Sequence, residues 1–297
     1  MRTVFFLLAV LAAPAPLAQP ALFSPTPASL ALTPEQEGRL RQLQAEPGVS
    51  AIDLVRADAA VLGEQGAVRL TLPGRVEAVL APSRFERRAA DDASWAGRDG
   101  AASQAVLVAR RGWVTGSVWH DGAVYEVRPL GGGLHALFRL DTSVFRDHDE
   151  GALPGEDRED RVPGLPPAGA AGAAGGPAAG SASPTIDVIV AYTSQVSTVY
   201  ADPVAFAQAA VDASNTASDN SAVQPRLRLV HAYETPGASS GSTATDLPTF
   251  QGQTDGTFDE VHALRDQYGA DLVALIGPSS SVYGSCGRGY INSSASS

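Results

Sequence analysis

Between residues 104 and 141 the chain falls into short apolar runs separated by turn residues. Residues 105–109 are continuously apolar, while residues 113–119, 123–128 and 134–140 mix apolar and polar positions. Arg111-Gly112, Asp121-Gly122 and Gly131-Gly132-Gly133 punctuate them. Short runs tending to period two, broken at glycine turns, predict a meander of β-hairpins. Residues 68–72 alternate too, with Pro73-Gly74 as their turn, and residues 53–80 read as short strands. Thr33-Pro34-Glu35 has the form of a helix start, and Leu40 and Leu43 give that helix a weak apolar face.

After residue 184 the period changes. Residues 186–192 are almost wholly apolar, as a central parallel strand requires when both faces are covered. Asp202-Pro203 opens a helix, with Val204, Ala207 and Val211 on one face and Phe206 and Ala210 beside it. This helix is expected to fade near Asn215. Residues 226–233 form a second strand, more alternating than the first. Thr257 and Glu260 have capping-box spacing. Phe258, Val261, Leu264 and Tyr268 recur at helical intervals, and Gly269 stands where a left-handed cap would end the helix. Residues 271–276 give a third strand. The order β-α-β-α-β predicts a parallel sheet with right-handed crossovers.

Two further segments frame these regions. Met1-Arg2-Thr3, a short apolar run and small residues near Ala18 have the form of a secretory signal peptide over residues 1–18. Residues 146–184 begin with acidic runs and continue in Gly, Ala, Pro and Ser, a composition that builds no core and reads as a linker open to proteolysis. Arg158 and Arg161 are candidate processing points. The expected organisation is therefore a leader over 1–18, a β-rich region over 19–145, a linker over 146–184 and an α/β region over 185–297.

Charge and composition narrow the function. The 297 residues carry a formal net charge of -11, and all 21 basic residues are arginine. Nucleic-acid binding wants a basic stripe, so nucleic acid is not an expected partner. No segment is long and apolar enough to suggest a membrane span, so an exported product without a membrane partner is expected. The one cysteine, Cys286, suggests a bonding partner outside the chain or a free thiol. Gly237-Ala238-Ser239-Ser240-Gly241 matches a nucleophile-elbow pattern, but a Ser/Thr-rich stretch follows where a helix should. The five histidines are His120, His135, His148, His231 and His262, and no two are four apart. A zinc site of the His-Glu-x-x-His kind is thus absent from the sequence, and no metal ligand or catalytic residue is assigned within it.

Ile186-Asp187-Val188-Ile189-Val190-Ala191-Tyr192-Thr193, Leu227-Arg228-Leu229-Val230-His231, residues 264–273 and Cys286-Gly287-Arg288-Gly289-Tyr290 together resemble the front part of a secreted bacterial metzincin-type zinc metalloendopeptidase, of the reprolysin-like or peptidyl-Asp kind. The resemblance implies a β-rich pro-region followed by the N-terminal part of a metzincin-like α/β domain, mostly parallel with an antiparallel edge strand. It implies zinc as cofactor and a peptide or protein substrate, with the chain's own pro-region as a partner. It implies that Gly287, Arg288, Gly289, Tyr290 and Ile291 form the rim strand along which substrate adds by backbone hydrogen bonds. It also implies that the chain stops before the zinc helix, leaving Cys286 to pair with a later cysteine. No cysteine precedes the linker to block a zinc ion, so an acidic side chain near Asp147 or Asp149 is the candidate latency ligand. The alternatives are an exported, non-enzymatic binding or adhesion protein and a truncated pseudo-protease.

Overall fold

A computed structural model describes residues 19–100, 103–144 and 184–278, together with Gly287 and Gly289. The leader, most of the linker, Asp147, Asp149, Cys286, Arg288, Tyr290 and Ile291 lie outside the described residues.

The first unit is built from strands β1 (Phe23–Pro25), β2 (Val49–Ala57), β3 (Val68–Leu72), β4 (Val76–Ala89), β5 (Asp92–Asp99), β6 (Ser103–Arg110), β7 (Trp113–His120), β8 (Ala123–Gly131) and β9 (Leu134–Leu140), with helix α1 (Pro34–Ala45) beside them. They make one nine-stranded sheet in the order β1-β2-β9-β8-β7-β6-β5-β4-β3. Every neighbouring pair is antiparallel. Ala21 bridges to Arg69 of β3 immediately before β1 begins, so the sheet comes close to closing into a barrel. Closure hides sheet edges that would otherwise be open to pairing. Leu70, Leu80, Trp95, Leu107, Val118 and Leu137 fill the interior. A second cluster, Leu43, Leu130, Leu134 and Phe138, seats α1 on the outer surface. Thr33 and Gln36 cap α1 reciprocally, as the Thr-Pro-Glu start predicts a helix there.

The second unit holds strands β10 (Thr185–Tyr192), β11 (Arg226–Glu234) and β12 (Leu272–Ile276), and helices α2 (Ser194–Val199), α3 (Pro203–Asn220), α4 (Thr243–Gln251) and α5 (Glu260–Tyr268). The three strands are parallel in the order β11-β10-β12. Asp202 caps α3 through the Ala205 amide, and Gly269 ends α5 with φ of 62°, both as the sequence predicts. Thr257 does not cap α5. The cap position is Asp259, and Glu260 turns instead toward β11. Helix α3 continues past Asn215, because the buried Asn215 amide donates to the Leu227 carbonyl and accepts from its N–H, both at 2.8 Å. That pair stitches the helix to β11.

The architecture corrects the expected fold class. The described chain is mostly antiparallel β, dominated by the nearly closed nine-stranded sheet, and not a mostly parallel metzincin-like α/β fold. Parallel pairing is confined to three strands. Within the nine-stranded sheet, the charged run and Pro82 of β4 hide a 14-residue strand from pattern reading.

The continuous apolar run of β6 has a structural cause. Ala105 and Leu107 face the barrel interior, while Val106 and Val108 on the outer face are 2% and 0% exposed. Helix α3 covers that outer face, with Ala205 and Ala209 packed on Val108. A strand buried on both sides loses its polar alternation.

The barrel also buries a histidine. His135 is 0% exposed, and its Nε2 accepts the Val114 N–H at 3.0 Å. Burial pushes its imidazole from 6.5 down to about 4. The folded state therefore binds fewer protons than the unfolded state between these values. Stability is full above pH 6.5 and falls as the pH drops toward about 4. The loss is expected to reach ~3 kcal/mol at most. Urea unfolding midpoints measured across this range should show that limb, and His135→Gln should flatten it.

Candidate functional site at the carboxyl edge of the parallel sheet

In an open parallel sheet the carboxyl ends of the strands form the natural ligand edge, because the loops leave the sheet there. Here that edge comprises Tyr192, Thr193, Glu234, Thr235, Ile276 and Gly277. Thr193 donates its N–H to the Ile276 carbonyl, and Thr235 donates to that of Tyr192, so the three strand ends are tied together. Glu260, from the first turn of α5, accepts from the Thr235 hydroxyl at 2.6 Å and the Tyr233 hydroxyl at 3.2 Å. Burial and the adjacent Glu260 raise the Tyr233 phenol above its ordinary range. The Ser197 hydroxyl donates to Glu234 and anchors α2 to the end of β11. Two buried oxygens at this edge, Thr193 Oγ1 and Gln195 Oε1, have no hydrogen-bond partner among the described residues.

Strand β12 borders the sheet and is paired on one side, to β10, among the described residues. Leu272 is 50% exposed on it. An unpaired strand edge offers a row of N–H and C=O groups to an added strand. The rim expected at Gly287, Arg288, Gly289 and Tyr290 follows it in sequence. Of these, Gly287 and Gly289 are described; both are exposed, with open space where a Cβ would stand.

The remaining sequence candidates are separated and already engaged. His120 bonds to the Ser103 hydroxyl, and His262 contacts the Gly252 carbonyl. His231 is stacked on Tyr233 and Tyr268. Among the described residues, no group of three or more His, Cys, Asp or Glu could hold a metal ion. These residues do not fit a zinc site. Ser239 of the elbow pattern donates to Asp246 in the first turn of α4, with no histidine bonded to it among the described residues. Contrary to the sequence expectation, a helix does follow the pattern, starting at Thr243. Asp187 takes both arms of Arg228 at 2.7 and 2.6 Å, and that arginine holds its carboxyl below the usual range. It is an ion-paired residue at the amino end of the central strand β10. Sequence reasoning did not find Glu260 as the tie at the strand ends, because its spacing to Thr257 reads as a cap.

Glu260→Ala leaves the hydroxyls of Tyr233 and Thr235 without their acceptor. The expected cost is ~1–3 kcal/mol, measured as a lower urea midpoint, with Glu260→Gln closer to the parent.

No protein-family model matches the chain. It is 30% identical over 277 residues to a peptidyl-Asp metalloendopeptidase of Stenotrophomonas maltophilia, an alignment covering 86% of this chain and 63% of the relative. A peptidyl-Asp metalloendopeptidase of Xanthomonas campestris pv. campestris is 29% identical over 274 residues, with 86% and 64% covered. One of Pseudomonas aeruginosa is 36% identical over 124 residues, covering 39% of this chain and 20% of the relative. A solved chain from a chaperone–substrate complex matches 32% of this chain and 87% of its own length, at 13% identity and a TM-score of 0.27, too slight a likeness to bear on the fold. Over most of its length, then, the chain is similar to proteins named peptidyl-Asp metalloendopeptidases, and it spans 63% of the length of the first of them.

Proposed function

We propose that the chain is part of the precursor of a secreted zinc-dependent endopeptidase that cuts internal peptide bonds at aspartyl residues. The observation that carries this reading is the similarity to peptidyl-Asp metalloendopeptidases across 86% of the chain. The histidine spacing and the described geometry supply no zinc ligands, and the relatives are longer. In this reading the zinc-binding residues belong to sequence outside these 297 residues. When bound, zinc would supply an activated water and polarise the scissile carbonyl.

The contribution of this chain is positional. The parallel sheet gives a rigid edge at β12, and the ties through Glu260 and Thr193 fix the loops at its carboxyl end. A rim over residues 287–290 would align an extended peptide by main-chain hydrogen bonds. Residues 1–18 act as the export leader in this reading, residues 19–145 as the pro-region, and residues 146–184 as the segment where processing occurs.

The test is to express the longest reading frame that runs through the codon for Ser297 and assay it on a peptide with a single internal aspartate. Cleavage at that residue, falling by about a hundredfold or more with a chelator and restored by zinc, is the expected result. A folded product with no chelator-sensitive cleavage would overturn the proposal.

A further inference from the structure

One end of the nine-stranded sheet holds a serine and a histidine in contact that the peptidase reading does not use. The connections from β5 to β6 and from β7 to β8 both lie at that end. Ser103 opens β6, His120 closes β7, and the two stand directly opposite each other. Residues two apart on a strand share a face. Ala105 and Val118, the next residues along that face, belong to the interior core. Ser103 and His120 are therefore interior positions at the mouth of the barrel. Barrel mouths are a recurrent place for ligand sites. Ser103 Oγ lies 2.7 Å from His120 Nδ1. The other ring nitrogen, Nε2, lies 3.5 Å from a carboxylate oxygen of Asp121.

These contacts order the protons. Nε2 faces a carboxylate and so carries the N–H, which leaves Nδ1 to accept from the Ser103 hydroxyl. Hydroxyl, imidazole and carboxylate in that sequence of contacts form the arrangement that activates a serine, and it is recognised by the roles of its groups and not by their order in the chain. The ring is used here with Nδ1 toward the hydroxyl, the reverse of the chymotrypsin arrangement. The backbone fixes the third member. Asp121 has φ of 48° and Gly122 of 75°, the hairpin turn that an Asp-Gly pair favours. Two of the three groups stand on paired strands, which hold a geometry more closely than loops do. Ser103 is 4% exposed and the His120 side chain 14%. So little exposure restricts the site to a small electrophile, and burial disfavours a charged one.

We propose that Ser103 is a nucleophile toward small, uncharged acyl donors of the activated-ester class, with His120 as its base and Asp121 orienting the imidazole. Ser103 Oγ attacks the acyl carbon while its proton passes to His120 Nδ1. The Oγ–C bond forms, the bond from the acyl carbon to the ester oxygen breaks, and the leaving oxygen takes the proton. Water then cleaves the acyl-serine with the same base, giving a carboxylic acid and restoring the hydroxyl. This inference does not depend on the peptidase reading.

The experiment labels the full chain with methanesulfonyl fluoride, a small uncharged reagent whose sulfur a serine oxygen attacks with loss of fluoride. Peptide mass mapping is expected to place the methanesulfonyl group on Ser103, at a rate about a hundredfold or more above that of the urea-unfolded chain. His120→Gln should slow this labelling about a hundredfold and Asp121→Asn about tenfold or more. The parent should also release nitrophenol from p-nitrophenyl acetate, and Ser103→Ala should lose most of that release. Comparing the folded with the unfolded parent needs no variant to fold. A folded parent that stays unlabelled at Ser103, or labels there no faster than the unfolded chain, would overturn the proposal. So would a folded His120→Gln that labels at the parent rate, or a Ser103→Ala that keeps the parent's release of nitrophenol.

Discussion

Helix α3 must satisfy two sheets at once, and much else in the structure answers to that constraint. Its 18 residues carry two buried stripes. Ala207, Val211 and Asn215, four residues apart, turn toward the parallel sheet. Ala205, Ala209, Asp212 and Thr216 turn toward the barrel. A narrow strip through Ala210, Ser214 and Ala217, running into Asp219 and Asn220 at the helix end, is left to solvent. A helix flanked on both sides needs small residues where it touches strands, and alanine also has the highest helix propensity. The same contact explains why β6 is apolar on both faces, and why Ser94 and Arg110 present polar groups outward beside it.

The arginines suit this design. With no lysine in the chain, every cationic contact uses a planar fork that can take both oxygens of a carboxylate. Arg228 takes Asp187 through Nε and Nη2, whereas Arg110 on Asp202 and Arg128 on Glu46 each reach both carboxylate oxygens through Nη1 alone. The partly buried pairs of Arg110 and Arg128 hold their carboxylates in place, while exposed pairs such as Arg41–Glu37 add little. Asp212 differs: burial raises its carboxyl despite bonds from Ser94 and Gln208. The barrel contact thus holds a carboxylate that free water would solvate better.

Local signals in the sequence were read well where geometry is set by neighbours. The hairpins over residues 104–141, the Asp202-Pro203 helix start and the Gly269 stop all follow from turn and cap chemistry. The apolar stripe of α3 through Ala207 and Val211 was legible too. Its second stripe was not, because Asp212 and Thr216 look like solvent positions until Ser94 is placed opposite, 118 residues away in sequence. Strand β4 was hidden for a related reason. Its arginines stay on the outer surface of a barrel whose closure no local pattern announces. The fold class was misjudged because the β-rich region was read as a meander of short hairpins, while nothing local announces that its nine strands form one nearly closed sheet that dominates the described chain. At the candidate site, Glu260 was visible as a residue but not as a tie between strand ends, since that role exists only once β10, β11 and β12 stand side by side.

The central claim is that α3 is packed on both sides in the full chain. Amide hydrogen exchange across residues 203–220 tests it most directly. Buried positions on both stripes, Ala205 to Thr216, should exchange as slowly as the β6 amides and open together with them. Exchange from α3 that is orders of magnitude faster than from β6 would show that the helix does not hold the barrel face, and the account would fail at its foundation.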